Sequence, residues 1–320
     1  MTVRAALFTL ILVTPLASCE DAPWRSAPPP AEEAVTPDFG PVAAYNRRLF
    51  FLGPGTDLPT AAVFDFTMLA DSTGSRRGAR VRLVDGEWQT LVDEGWAMEP
   101  MREPWRLIPH DGLTMVLTET GDLAALVHRD SVATRLEVED ALMEYSPDIG
   151  TRLVLRQARL LHGDRVLAGV LLDAQLGRTV PPELVARDTA AEPADPVPPT
   201  PIARPGAEAL LVGNEGYYAV LTTASGGQLG WVSHAGDDNV RADVRITPAA
   251  WSAGADSIPT GWRVVSADGQ FVGELTTTSS DRVALDGAGE VGALAYALVT
   301  GWVEDRAVRR DVVGLVRHVW

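Results

Sequence analysis

The sequence predicts a mainly β fold, with two tandem antiparallel β-barrel domains and little helix. Short runs such as residues 79–83 (ARVRL) and 152–155 (RLVL) follow a largely alternating pattern of apolar and charged residues, which is typical of half-buried strands. Tight-turn pairs such as Asp85-Gly86 and Asp268-Gly269 separate the runs, as they do in meanders of short strands. A tryptophan-containing pattern recurs in the second half of the chain, which indicates a repeated domain.

The amino-terminal segment has the parts of a secretory signal peptide over residues 1–18. Arg4 precedes an uncharged apolar stretch, and the tetrapeptide Leu16-Ala17-Ser18-Cys19 follows it. The tetrapeptide resembles the lipobox of bacterial lipoproteins, which implies a diacylglyceryl group on Cys19 and fatty acylation, as with palmitate, of the new amino terminus. A transmembrane helix is one alternative, but the stretch is shorter than the roughly 20 residues that a bilayer requires. An ordinary cleaved signal peptide is the other.

Two proline-rich segments divide the remaining chain. Residues 19–43 include Ala27-Pro28-Pro29-Pro30 and predict an extended tether from the lipid anchor. Residues 180–209 combine many prolines with little apolar periodicity and predict an interdomain linker. The first β domain is therefore expected over residues 44–179 and the second over 210–320. Residues 138–145 predict the one short helix.

The repeat is read from a Trp-Arg strand that precedes an Asp-Gly turn. Residues 105–112 (WRLIPHDG) match residues 262–269 (WRVVSADG). Upstream, residues 81–83 (VRL) parallel residues 244–246 (VRI), and downstream Asp164-Arg165 parallels Asp305-Arg306. The order of these features is the same in both halves, as expected for two copies of one β domain.

This tandem pattern is similar to the tandem lipocalin-like family, which includes the carotenoid (hydroxyneurosporene) hydratases. Residues 258–263 (IPTGWR), 296–301 (YALVTG) and 312–314 (VVG) carry most of the likeness. The resemblance implies two barrel-like domains packed together and an apolar ligand between or within them. The His-bearing motif of the hydratases has only a loose counterpart here, in residues 231–238 (WVSHAGDD). The resemblance therefore implies the fold more than the activity.

Composition excludes several function classes. The formal net charge is −16, and every basic residue is arginine because the chain has no lysine. The negative charge disfavours nucleic acid and anionic lipid head groups as partners. The lack of lysine excludes Schiff-base chemistry and a phosphate-loop lysine. No catalytic motif, metal-ligand spacing or cofactor fingerprint occurs in the sequence, so no catalytic residue, metal or cofactor is predicted.

Two groups of residues remain as candidate sites. His234 with Asp237 and Asp238 can form a polar site for a cation or for acid–base chemistry, although a solvated loop is the simpler interpretation. Tryptophans are frequent at binding hot spots and membrane surfaces, and the alternative is burial within their own domain. The candidate interface tryptophans are Trp24, Trp96, Trp231 and Trp320.

Three functions follow from these observations. The first is a lipid-anchored, non-enzymatic protein on the periplasmic face of the inner or outer membrane, which docks on and stabilises a membrane protein complex. A photosynthetic pigment–protein complex is one conceivable partner of such an extrinsic subunit. The second is a lipocalin-like binder of an apolar molecule, such as a lipid or carotenoid. The third, which the sequence favours least, is an enzyme of the hydratase or isomerase type.

Overall fold

A computed structural model describes the part of the chain that forms strands and their close connections. The described residues are 43–53, 59–71, 74–98, 112–118, 122–129, 132–147, 150–179, 206–214, 216–222, 228–234, 237–242, 244–254, 257–284 and 293–320. They lie within one compact unit, Phe39–Trp320. No helix long and apolar enough to cross a membrane occurs among them. The predicted signal peptide, Cys19, Trp24 and most of the two proline-rich segments fall outside these residues.

Two nine-stranded antiparallel sheets contain all the described strands. The first sheet has the order β4-β3-β2-β1-β9-β8-β7-β6-β5, and the second has the order β13-β12-β11-β10-β18-β17-β16-β15-β14. The strands of the first sheet are β1 (Ala43–Gly53), β2 (Thr60–Asp71), β3 (Gly74–Asp85), β4 (Glu87–Met98), β5 (Leu113–Leu117), β6 (Leu123–His128), β7 (Thr134–Tyr145), β8 (Thr151–His162) and β9 (Arg165–Thr179). Those of the second are β10 (Gly206–Gly213), β11 (Gly216–Thr222), β12 (Gln228–His234), β13 (Asp237–Ala242), β14 (Arg245–Trp251), β15 (Pro259–Val265), β16 (Phe271–Ala284), β17 (Ala293–Asp305) and β18 (Val308–Val319).

The two sheets have the same topology. In each one the first strand pairs with both the second and the ninth, as β1 does with β2 and β9 and β10 does with β11 and β18. β14 also contacts β10 and β12, from which it is distant in the pairing order, so the second sheet curls on itself. The prediction of two tandem antiparallel lipocalin-like β domains is confirmed.

Alternate side chains along a strand belong to two different hydrophobic cores, one within the strand's own sheet and one shared by both sheets. On β1, Leu49 and Phe51 belong to a cluster made only of first-sheet residues, whereas Phe50 and Leu52 belong to a cluster shared by both sheets. The second sheet has its own cluster, which includes Trp262 and Phe271. Successive residues of a strand point to opposite faces, so one face of each sheet lines its own interior and the other packs against its partner sheet.

Two details of the predicted organisation are wrong. Residues 138–145 lie on strand β7 rather than in a helix. The repeat also matched non-equivalent strands upstream: residues 81–83 lie on β3, whose counterpart in the strand order is β12, whereas residues 244–246 lead into β14. The Asp-Gly turns of the main match are not equivalent either, because Gly112 precedes β5, the counterpart of β14, whereas Gly269 precedes β16. The downstream match joins corresponding hairpins, since Asp164 lies between β8 and β9 and Arg306 between β17 and β18.

Candidate binding site between the two sheets

Four buried charges meet where the first sheet packs against the second. Arg48 on β1 donates from Nη1 to Glu208 Oε1 on β10 at 2.5 Å. Arg317 on β18 donates from Nε to Asp65 Oδ2 on β2 at 2.8 Å. Each of these ion pairs joins one sheet to the other, and at most 7% of each of the four side chains is exposed. The contact between the sheets is therefore electrostatic at this point as well as apolar.

Pairing within each sheet closes these four residues into a ring, here called the junction ring. Arg48 and Asp65 are direct partners in the β1–β2 register, with Nε and Oδ1 3.7 Å apart. Glu208 and Arg317 are direct partners in the β10–β18 register, with Oε2 and Nη1 3.8 Å apart. When the β8–β9 and β17–β18 turns are aligned, Arg48 and Glu208 occupy corresponding positions of their sheets. The ring thus lies where equivalent strands of the two sheets meet.

The charges of the ring shift the pKa values of Asp65 and Arg317 so that each favours its charged state. Burial would raise the pKa of Asp65, but the guanidinium groups of Arg317 and Arg48 outweigh it, and the pKa falls below its usual range. Burial opposes the charge of Arg317, but the carboxylates of Asp65 and Glu208 raise its pKa above the ordinary value. A buried charge is tolerated only when it is paired and hydrogen-bonded. Two arginines and two carboxylates make the junction ring neutral overall.

In and beside the ring lie polar atoms that are buried without a hydrogen-bond partner among the described residues. They are the Tyr296 hydroxyl, the Trp88 indole Nε1, and two atoms of the ring itself, Arg48 Nε and Asp65 Oδ1, which lie 3.7 Å apart. Tyr296 is the direct partner of Arg317 in the β17–β18 register, and its ring stacks on Trp88 with centroids 6.4 Å apart. Burial, and next the charge of Asp65, raise the pKa of Tyr296. The junction therefore presents two neutral donors, and beside them one cationic donor and one anionic acceptor that face each other.

The two flanks of the junction differ in chemistry. On one flank, Arg82 of β3 donates from Nε to Asp281 of β16 at 3.0 Å. On the other, Tyr145 of β7 contacts Trp231 of β12, with ring centroids 6.4 Å apart. Strand register makes Arg82 the counterpart of Trp231, and Asp281 the counterpart of Tyr145. Corresponding positions of the two sheets thus form an ion pair on one flank and an aromatic pair on the other.

Apolar side chains of intermediate burial surround the shared core of the two sheets. They come from both sheets, and strands β4, β7, β9, β10, β11, β16 and β18 each contribute at least one. Partial exposure distinguishes them from the fully buried residues beneath. They are Trp88, Met143, Tyr145, Val170, Val212, Tyr217, Val283 and Val313.

The structure locates the sequence-predicted site residues at separate places. Trp231 is buried at the junction, with 4% of its surface exposed. Trp96 is half-buried against the first sheet's own core, and Trp320 is half-buried beside His318 and Trp251. These placements leave open the interface role that the sequence suggested.

The polar candidates lie at one hairpin. His234 and Asp237 face each other where β12 meets β13, with Asp238 next along the strand. For these three residues the structure describes only the backbone. No group of three or more His, Cys, Asp or Glu side chains able to hold a metal ion occurs in the described ranges.

Sequence reasoning missed the junction ring. Its sequence signal is that Glu208 is the one charge of β10 (GAEALLVG), and that Asp65 and Arg317 stand alone in apolar stretches of their strands, VFDFT and LVRHV. A period-two pattern gives the face of a side chain but not the partner sheet that this face meets. The Arg48–Glu208 pair joins residues 160 positions apart in the chain.

Comparison with known proteins supports the fold. No protein-family model matches the sequence, and no curated protein matches it. Among solved structures, a putative AttH protein of Nitrosomonas europaea has a TM-score of 0.54 at 12% identity, covering 91% of this chain and 98% of that one. Kievitone hydratase of Nectria haematococca has a TM-score of 0.50 at 12% identity, covering 87% of this chain and 88% of its own. At such low identity the likeness concerns the lipocalin-like, hydratase-type fold alone.

Proposed function

We propose that this protein binds a neutral, largely apolar molecule that carries a hydroxyl or carbonyl group, at the junction between its two sheets. The observation that carries the proposal is a pair of buried donors, the Tyr296 hydroxyl and Trp88 Nε1, that have no hydrogen-bond partner in the described part of the chain. A buried donor without an acceptor costs about 1–3 kcal/mol. A ligand oxygen would relieve that cost, and a ligand hydroxyl could also donate to Asp65 Oδ1.

The surroundings of these donors suit a neutral ligand. The junction ring already matches each positive charge with a negative one, so an added ionic group would have no counter-charge there. Ligand sites of this kind combine a mostly apolar lining with a few well-placed polar groups. The half-buried apolar residues around the shared core, including Met143 and Tyr217, supply the apolar lining for the body of the ligand.

The same geometry favours binding over hydration. Kievitone hydratase is named for an activity that adds water, and adding water to a carbon–carbon double bond requires a group that protonates carbon. Asp65 is held ionised by Arg317 and Arg48, and burial and the charge of Asp65 hold the Tyr296 proton tightly. Neither group is a ready proton donor near neutral pH, so a binding role is the better-supported proposal.

Titration with retinol tests the proposal, because retinol is apolar, carries one hydroxyl and changes its fluorescence on leaving water. We expect saturable binding, and we expect Tyr296→Phe to weaken it about five-fold, as for the loss of one hydrogen bond of roughly 1 kcal/mol. Tyr45→Phe is the matched control, since the Tyr45 hydroxyl donates to Gln175 on the opposite face of β1 and should leave binding unchanged. Equal affinity of the wild type and Tyr296→Phe, or no retinol binding at all, would refute the proposal.

The membrane-facing role inferred from the sequence is a second proposal. It rests on the lipobox-like Leu16-Ala17-Ser18-Cys19 and on the proline-rich tether that follows. A tethered binder at a membrane surface would meet apolar ligands where they concentrate, so the two proposals are compatible. A membrane protein complex as partner is supported by the anchor alone. Its test is whether a partner co-purifies in constant ratio from membranes solubilised with a mild detergent.

A further inference from the structure

A second unusual cluster lies inside the second sheet, on the face of β18 opposite to Arg317. His318 is in contact with three tryptophans. Its ring stacks on Trp320 with centroids 5.1 Å apart, meets the edge of Trp262 at 5.4 Å and lies 6.1 Å from Trp251. Trp251 and Trp320 also contact each other at 5.4 Å in an edge-to-face arrangement. We call these four residues the indole cluster.

The cluster is fixed at its inner end and open at its outer end. Trp262 is 1% exposed, and its Nε1 donates to Thr277 Oγ1 at 3.0 Å. Trp251 is 43% exposed at the end of β14, where the pairing with β15 is irregular. Trp320 is half-buried. The aromatic surface therefore reaches from the sheet interior to solvent at Trp251 and Trp320.

His318 places a hydrogen-bond acceptor within this aromatic surface. The side chain is 6% exposed, and Nδ1 has no hydrogen-bond partner within the described ranges. Burial lowers the pKa of the imidazole, although a hydrogen bond to the backbone of Gly206 raises it. A hydrogen bond that favours the protonated ring is one that the ring donates. With the ring neutral and its proton assigned to the nitrogen that this bond engages, Nδ1 is the acceptor that remains beside the three tryptophans.

We propose that the indole cluster binds an organic ammonium ion that has an N–H group and an apolar body. Three features select this chemistry. The faces of indole rings attract cations, the lone pair of Nδ1 accepts from an N–H donor, and the net charge of −16 raises the local concentration of cations. An anion would be repelled by the aromatic faces. A ligand without a donor would leave Nδ1 of His318 unpartnered.

The charge of Arg317 would oppose a cation beside His318, since it also lowers the pKa of that imidazole, but two carboxylates are paired with it. Arg317 directly precedes His318 on the same strand but points to the opposite face, where Asp65 and Glu208 pair with it. The indole cluster and the junction ring are thus separate sites on the two faces of β18. The ammonium site does not depend on the retinol site, and either can fail without the other.

Titration of the full chain with 2-phenylethylammonium, followed by tryptophan fluorescence and calorimetry, tests the proposal. We expect one saturable site and at least ten-fold weaker binding of 2-phenylethanol, which has the same body and a donor but no charge. A cation over indole rings contributes about 0.5–2 kcal/mol, or roughly two- to thirty-fold in affinity for each ring. Equal binding of the amine and the alcohol, or no binding of the amine, would overturn the proposal.

Variants separate recognition from a purely structural role. His318→Phe keeps a ring but removes the acceptor, and should weaken binding of the amine at least five-fold. His318→Asn restores an acceptor close to the place of Nδ1 and should recover part of the affinity. Trp320→Ala should also weaken binding, whereas Trp302→Ala is the matched control, because Trp302 stacks under Arg309 elsewhere on the second sheet. Equal affinities of the Phe and Asn variants, both folded by circular dichroism, would contradict the assigned role of His318.

Discussion

The four charges of the junction ring lie at buried strand positions. Apolar residues at these positions would not carry the free-energy cost of removing a charge from water. Moving a single carboxylate or guanidinium group from water into a protein interior costs several kcal/mol. The attraction between two opposite charges offsets that cost only while both charges are present. Arg48 and Glu208 are 6% and 2% exposed, so neither can turn to solvent if the other is lost. At the scale of single residues, the ring specifies which part of one sheet meets the other more than it adds stability.

Glu208→Gln should lower the free energy of unfolding by about 3 kcal/mol, because it leaves Arg48 buried with an incomplete set of partners. The double variant Arg48→Met, Glu208→Met removes both charges and should cost less than the single variant. Arg159→Gln is the control, since its ion pairs with Glu137 and Glu139 are half exposed and should contribute at most about 1 kcal/mol. Urea unfolding measures all three. A double variant that is less stable than Glu208→Gln would contradict this account.

The elements show which parts of the fold could be predicted from sequence. The alternating run at residues 79–83 lies on β3, and the Asp85-Gly86 turn does separate β3 from β4, where Gly86 has φ 84°. Alternation and turn chemistry depend on residues that are adjacent in the sequence, so a strand or a tight turn can be predicted from the sequence alone. Residues 138–145 were misread because β7 contains two register shifts against β8, which interrupt the alternation and imitate a helical spacing of apolar residues.

The candidate sites depend on contacts that local patterns do not encode. Trp231 meets Tyr145 across the two sheets, and Asp65 meets Arg317 from strands at opposite ends of the chain. Trp251 is exposed at a strand end, whereas Trp262 on the neighbouring strand is buried. Which tryptophan faces solvent depends on where a strand ends and how the sheet curls, and the sequence pattern carries little of that information.

At the scale of the element, the turn of the β17–β18 hairpin allows a prediction about stability. Its turn residues Arg306 and Ala307 have φ of 50° and 65°, a left-handed conformation that costs residues with a Cβ about 1 kcal/mol or more. The corresponding turn of the first sheet uses Gly163. Two-residue turns of this type favour Asn-Gly, so Arg306→Asn with Ala307→Gly should raise the melting temperature by several degrees. Ala267→Gly, in a turn where φ is not positive, is the control and should not stabilise the protein.

At the scale of the whole molecule, the two sheets share their strand order but differ in the side chains at corresponding positions of their contact. One flank of the junction retains the Arg82–Asp281 ion pair, and the corresponding flank has the Tyr145–Trp231 pair. Their other faces have diverged as well, since the second sheet holds the indole cluster where the first has Arg47 hydrogen-bonded to Asp173. Two copies of one architecture thus offer chemically different surfaces, so a ligand at the junction would meet a polar flank and an aromatic flank.

The proposed lipid anchor leads to a prediction about the molecule as a whole. With a net charge of −16, the chain would be repelled from anionic membrane surfaces, whereas two or three acyl chains hold a protein firmly at about 0.8 kcal/mol per buried CH₂. When the full chain is expressed in a bacterium supplied with an alkyne-labelled palmitate, we expect label on the wild type and recovery in the membrane fraction. Cys19→Ala should lose the label and leave that fraction, while Ser18→Ala, which keeps a small residue before Cys19, should retain both. Label or membrane recovery that survives in Cys19→Ala would show that the anchor lies elsewhere.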